Sequence, residues 1–260
     1  MRAIVLAAGQ GKRLLPLTAT EPKCLLPVDG DRGVLELQLR AIAACGIERA
    51  SVLVGFGADR VEHFIATHPI PGLAVDAIFN PFYAMTDNLV TCWMAREAMQ
   101  GDFLLLNGDT LFEDEVLRTV LDGTRAPVTV TINHKSEYDD DDMKVTLDGD
   151  GRLRAIGKKL PRDQVDGESI GMLLFRDSGV TAWREALDQA IRSPGALNAW
   201  YLSVVNEMAS SLSVRTTAIT GMWWQEIDSP EDLEAARRGL RNADDAVDPA
   251  LPVAARASSL

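Results

Sequence analysis

Hydrophobic and polar positions alternate along the first half of the chain with two periods. Residues 2–7 form a short apolar run that gives way to Gly9 and Gly11, the pattern of a strand buried on both faces. Residues 34–45 carry apolar side chains at helical spacing and stop at Gly46, a residue suited to a helix C-terminus. The alternation repeats as a strand at 50–54, a helix at 59–67 closed by His68-Pro69, and a strand at 73–79. A helix at 88–99 capped by Thr86 or Asp87 follows, then a strand at 102–106 that breaks at Asn107-Gly108-Asp109. Such βα repetition predicts a mostly parallel sheet with helices on both faces and ligands at the carboxyl ends of its strands. Residues 9–13 and 107–109 fall on that rim.

The second half is less regular. Strands are expected at 128–134, 144–147, 153–156 and 170–175, with Asp148-Gly149-Asp150-Gly151 turning a hairpin between the second and third. Helices at 180–192 and 199–210 and a strand at 214–218 lead to Trp223-Trp224-Gln225-Glu226-Ile227-Asp228. Ser229-Pro230-Glu231-Asp232 reads as a helix start, with Ser at the N-cap, Pro at the first helical position and an acid at the third. Residues 242–260 are rich in Ala, Asp, Pro and Ser without periodicity, so 241–260 are expected to form a mobile tail on a single domain of 1–240.

Composition narrows the function. The chain has 260 residues and a net charge of −12, with 47% apolar and 25% charged residues, which excludes wholesale disorder. Nucleic acid and anionic membranes need a basic surface, so neither is an expected partner. No apolar run reaches the ~18 residues of a membrane span, and the opening run is too short for a signal-peptide core. Cys24, Cys45 and Cys92 are an odd number with no metal-ligand spacing. They read as reduced thiols of a cytoplasmic protein.

Candidate chemistry starts at the first loop. In Leu6-Ala7-Ala8-Gly9-Gln10-Gly11-Lys12-Arg13, small residues and two glycines follow a strand directly and two cations come next. Glycines let backbone N–H groups approach a phosphate chain, and Lys12 and Arg13 add charge-assisted hydrogen bonds. The dinucleotide fingerprint fails because Leu14 stands where a third small residue belongs, which argues against a dehydrogenase. The P-loop fails on the spacing of its glycines. Downstream, Pro22 and Pro27 stiffen the segment that presents Lys23.

Residues 6–18 together with Pro22-Lys23-Cys24-Leu25-Leu26-Pro27-Val28 resemble the opening signature of the nucleotidyltransferase superfamily, which joins an NTP to a phosphorylated sugar or alcohol. The resemblance extends through Asp228 and the helix after it. It implies a Rossmann-like three-layer α/β/α fold on a mixed, mostly parallel sheet, with a nucleotide-binding part at about 1–125 and a smaller β-containing acceptor lobe at about 126–228. It also implies Mg2+ on Asp109 and Asp228, and a triphosphate held by Arg13 and Lys23 against Leu6, Ala7, Ala8, Gly9, Gly11, Lys12, Asn88 and Gly108. Without the first loop, Asn107-Gly108-Asp109 reads as a turn and Asp228 as a capping carboxylate.

On the acceptor side, Lys158 in Ile156-Gly157-Lys158-Lys159-Leu160-Pro161 is the counterpart of the lysine that grips the acceptor phosphate in sugar-phosphate relatives. Gly157 replaces their sugar-contacting glutamate, which weakens a hexose-phosphate assignment. Asp142-Met143-Lys144-Val145, Glu168-Ser169-Ile170-Gly171 and Glu226-Ile227-Asp228 look more like the phosphocholine cytidylyltransferase branch. CTP and a small phosphate or phosphonate, such as phosphocholine, phosphoethanolamine or aminoethylphosphonate, are the substrates this implies. Lys144 is either a phosphate ligand or a surface lysine. Trp200, Tyr201, Trp223 and Trp224 are either core aromatics or, beside Glu168 or Glu226, a cage for an alkylammonium group. The run Asp139–Asp142 reads as a solvated loop. A sugar-1-phosphate transferase and a non-catalytic nucleotide-sensing subunit remain as alternatives, and a homodimer is compatible with everything above.

Overall fold

A computed structural model describes residues 1–246. The strands are β1 (Arg2–Ala7), β2 (Pro27–Asp29), β3 (Arg32–Gly33), β4 (Arg49–Val54), β5 (Ala74–Phe79), β6 (Phe103–Asn107), β7 (Thr110–Phe112), β8 (Val128–Asn133), β9 (Lys144–Leu147), β10 (Leu153–Gly157), β11 (Gly167–Phe175), β12 (Val214–Ala218) and β13 (Trp224–Glu226). The helices are α1 (Val34–Ala44), α2 (Ala58–Thr67), α3 (Asn88–Met94), α4 (Asp114–Asp122), α5 (Ser178–Ala190), α6 (Tyr201–Met208) and α7 (Pro230–Ala246).

The main sheet runs β10-β9-β11-β6-β1-β4-β5, with β8 also on β11 and β12 on β8. It is mixed. Pairings among β6, β1, β4 and β5 are parallel, as the βα repetition demands, and so is β12 with β8. Every pairing of β11, and that of β9 with β10, is antiparallel. This is the mixed sheet that the resemblance implies: most of its parallel pairings lie in the first half, and every antiparallel one involves β9, β10 or β11.

Alternate residues of the central strands feed two cores. On one face Ile4 and Leu105 pack with Trp183 of α5 and Leu202 and Val205 of α6; on the other, Val5 and Leu104 pack with Leu39 of α1 and Val116 of α4. These are the two outer layers of a three-layer α/β/α arrangement. A third, smaller core of Leu14, Leu26, Val28, Val34, Leu111, Ile227 and Leu233 seats the loops after β1 against α7.

Three departures from the sequence pattern matter. The helix expected at 88–99 ends at Met94 and continues only as turns, and Asp87 occupies its N-cap without a side-chain bond. Strand β7 and helix α4 had no counterpart in the pattern. Helix α7 occupies the first part of the expected tail, through Ala246; residues 247–260 lie outside those described.

Strand β11 couples the two halves of the molecule. Its first residues pair with β9 and its last four with β6, and its register against β8 shifts between Ser169 and Leu173. Gly171 lies in that irregularity at φ +75°, and a Cβ there would run into the Asn107 side chain. Gly171→Ala is expected to cost at least about 1–3 kcal/mol from backbone strain alone, read as a lower denaturant midpoint at unchanged slope.

Candidate active site

The loop after β1 turns through Gly11 in the left-handed region (φ +69°), where a Cβ would lie 2.9 Å from Cδ of Lys23. The loop thus rests on the Lys23 stem, and Thr18 Oγ1 fixes it by donating to the Gly11 carbonyl at 2.8 Å. At the neighbouring strand end, the Gly108 N–H donates to the Leu6 carbonyl at 3.0 Å, and a Cβ on Gly108 would come within 2.6 Å of that oxygen. The turn carrying Asp109 therefore lies flat against the end of β1.

Asp109, Glu226 and Asp228 converge there, each with a carboxylate oxygen within 4.8 Å of the others'. Strand β13 pairs with β7, and the Ile227 N–H donates to the Asp109 carbonyl at 3.0 Å, so the two acidic segments are bonded together. Lys23 Nζ bridges Asp109 (2.8 Å) and Asp228 (2.6 Å), and Arg13 also pairs with Asp228. Burial works against the charged form of Lys23, but the two aspartates outweigh it and the ammonium titrates above its ordinary range. Asp228 is likewise opposed by burial, and Lys23 and Arg13 hold its carboxyl below the usual range. Desolvation between the cleft walls, with repulsion by Asp109 and Asp228, pushes Glu226 up to about 8. Its side chain is still exposed to the open cleft, so water screens part of the burial effect and the repulsion is the firmer cause. Three oxygen donors in this space suit a hard divalent cation.

Asp228 is free for these contacts because other groups cap α7. The Asp232 N–H donates to Ser229 Oγ at 3.1 Å, and the Ser229 N–H to Asp232 Oδ2 at 2.8 Å, the reciprocal box anticipated from the sequence.

The carboxylates line one end of a cleft of about 380 Å³, whose other end is built from the loop before β9, Lys158 just after β10, the first part of β11 and the start of α6. Lys158 Nζ stands there, 4.4 Å from the Trp200 ring centroid and 3.4 Å from Asp141. Asp141 also reaches Arg13, at 3.6 Å, and so spans the cleft. Glu168 and Asp142 share Lys135, at 2.9 and 2.8 Å. The run Asp139–Asp142 is therefore not simply a solvated loop: Asp141 and Asp142 line the cleft.

Of the residues singled out from the sequence, Leu6, Ala7, Gly9, Gly11, Arg13, Lys23, Asn88, Gly108, Asp109, Lys158, Glu168, Tyr201, Trp224, Glu226 and Asp228 line this one cleft. Lys12 is exposed and Ala8 buried, and neither borders it. Lys144 is neither a surface lysine nor part of the lining. It is 1% exposed, and its ammonium donates to the Lys158 carbonyl at 2.9 Å, fixing the backbone at that lysine. Tyr201 is buried, with its hydroxyl donated to Asn107 Oδ1 at 3.1 Å and its N–H to Asn88 Oδ1 at 2.9 Å. Trp223 packs against the small core under α7, and Glu226 stands with the two aspartates in the cleft that Trp200, Tyr201 and Trp224 also line.

The family model for nucleotidyl transferases matches residues 2–142. The chain belongs to that family. It is 27% identical over 242 residues to the bifunctional IPC transferase and DIPP synthase of Aquifex aeolicus, covering 92% of this chain and 51% of that one. It is 25% identical over 238 residues to the 2-aminoethylphosphonate cytidylyltransferase of Lancefieldella rimae, covering 91% and 92%. The chain thus spans about half of the first relative and nearly all of the second. The solved CTP:phosphocholine cytidylyltransferase of Streptococcus pneumoniae has the same fold, with a TM-score of 0.73 at 21% identity over 92% of this chain and 98% of that one. Among the described residues, no helix is long and apolar enough to cross a membrane.

Packing three carboxylates together opposes folding of the metal-free protein. Glu226→Gln is expected to raise the melting temperature measured in EDTA, and to reduce the further rise produced by Mg2+.

Proposed function

We propose that the chain transfers a cytidylyl group from CTP to the phosphate or phosphonate of a small acceptor, releasing pyrophosphate. The observation that carries this reading is the single cleft with Asp109, Glu226, Asp228, Lys23 and Arg13 at one end and Lys158 at the other. The choice of cytosine and of an amino-alkyl acceptor is supported by the 2-aminoethylphosphonate cytidylyltransferase that aligns over nearly its whole length.

In the proposed reaction an acceptor oxygen forms a bond to the α-phosphorus while the bond to the departing pyrophosphate breaks, the two oxygens roughly in line. The acceptor is already anionic, so no strong general base is needed. Arg13 and Lys23 hold the triphosphate and Lys158 the acceptor phosphate. The main work is to keep two mutually repelling anions close and aligned. Asp109 and Asp228, with Glu226 beside them, would hold Mg2+, which supplies charge neutralisation at phosphate oxygens.

The direct test is pyrophosphate release with Mg2+ and CTP against phosphocholine, phosphoethanolamine, 2-aminoethylphosphonate and hexose 1-phosphates. Turnover is expected with an amino-alkyl member. Turnover confined to a hexose phosphate with UTP, dTTP or GTP would replace this reading by the sugar-phosphate one. In the same assay Asp109→Asn is expected to lower kcat by orders of magnitude with the circular dichroism spectrum unchanged. Near-normal turnover of that variant would remove Asp109 from the metal site.

A further inference from the structure

Helix α1 contributes nothing to the cleft lining, yet one of its side chains reaches the turn that carries Asp109. Gln38 is 1% exposed. Its Nε2 donates to the Asn107 carbonyl and to the Thr110 carbonyl, each at 2.8 Å. These two carbonyls bracket the Gly108-Asp109 pair, so one amide staples both shoulders of the turn across about seventy residues of sequence. The orientation is forced, because the reversed amide would point its oxygen at both carbonyls. The cost is visible: Gln38 Oε1 is buried with no hydrogen-bond partner. An amide kept in the core with its acceptor unsatisfied is accounted for by what its two protons hold.

The rest of the turn is fixed from other sides. The Gly108 N–H is bonded to Leu6, the Asn107 side chain to Tyr201, and the Asp109 carbonyl to Ile227. Thr110 Oγ1 also donates to the Ile170 carbonyl at 3.3 Å, and Gln38 adds the restraint from the α1 side of the sheet. We infer that Gln38 is a positioning residue for Asp109, setting the turn so that its carboxylate meets Lys23 and stands with Glu226 and Asp228. The inference rests on the proposed Mg2+-dependent use of that cluster, since second-layer hydrogen bonds of this kind tune ligand orientation.

The test uses Gln38→Met, similar in length but without donors, beside Ile42→Val, a core change on the same helix with no bond to the turn. Calorimetric titration of CTP into the full chain at a series of Mg2+ concentrations gives the Mg2+ midpoint for nucleotide binding. Gln38→Met is expected to raise that midpoint about tenfold, to lower kcat, and to leave the acceptor KM within about twofold, whereas Ile42→Val leaves the midpoint in place. An unchanged midpoint in Gln38→Met, or an equal shift in Ile42→Val, overturns the inference. Should Gln38→Met not fold, Gln38→Glu carries the test. Its protonated form keeps one donor and its ionised form faces two carbonyls, so its midpoint must worsen as pH rises relative to wild type; a parallel pH profile overturns the inference. Wild-type protein that binds no nucleotide with Mg2+ would instead overturn the proposed function, and that outcome is read on the wild type alone.

Discussion

One ammonium group, that of Lys23, sits where Asp109 and Asp228 would otherwise face each other unshielded. In a chain of net charge −12 this concentration of carboxylates needs an internal cation, and the fold goes far to provide it. The Lys23 stem is roofed by Gly11, which only a residue without Cβ permits, and Pro22 beside it is packed by Gly57, where a Cβ would come within 2.6 Å of the proline ring. Segments around residues 11, 109 and 228 thus meet on a single side chain. A neutral replacement at position 23 would leave a nearly buried hole beside two repelling charges, so loss of local order and loss of function would be hard to separate there. Asp109, which is more open, is a cleaner probe of chemistry.

The same logic explains why so much structure lies behind the site rather than in it. The small core under α7 holds the first loop and the segment around Asp228 as one body, and its members Leu14, Leu111, Ile227 and Leu233 come from three separate stretches of sequence. On the opposite side, β11 carries Glu168 near its start and at its end pairs with β6, the strand that leads into the Asp109 turn. A shift of β11 would therefore move both ends of the cleft together. The backbone of Lys158 is in turn tied to β9 by the buried Lys144 ammonium.

The parts of this arrangement that are legible in the sequence are those where local pattern and chemistry coincide. The glycine loop follows an apolar strand, Lys23 lies between prolines, and Asp109 sits where a strand breaks. Ser229 and Asp232 announce the start of α7 three residues apart, and they do form its cap. What stays hidden depends on partners distant in sequence. Lys12, beside the glycine loop, has a stronger local claim to phosphate than Lys144, yet tertiary packing leaves Lys12 in solvent and buries Lys144. The four consecutive aspartates look interchangeable, but Asp140 goes to Arg162, Asp141 to Arg13 and Lys158, and Asp142 to Lys135. Gln38 carries no signal of its own in an amphipathic helix. The antiparallel pairings of β11 carry no local signal, since short strands show period but not direction.

Those pairings bear on how an acidic protein can receive two anionic substrates. Arg13, Lys23 and Lys158 each rest against a carboxylate already, so none is an isolated charge in the cleft. Under the proposed reaction a phosphate oxygen exchanges for a carboxylate oxygen at these cations, and the strong desolvation of a lone buried ammonium or guanidinium never arises. The exchange favours groups carrying more charge than the carboxylate they displace, which a phosphate or phosphonate dianion does and a carboxylic acid does not. The exposed contacts, such as that of Asp141 with Lys158, are weak enough to be replaced at small cost. The bridge from Lys23 to Asp109 and Asp228 is short and shielded, and it persists until another cation takes up the carboxylates. Charge is therefore already ordered within the cleft, with the most exposed pairs at Asp141 and the most shielded at Lys23.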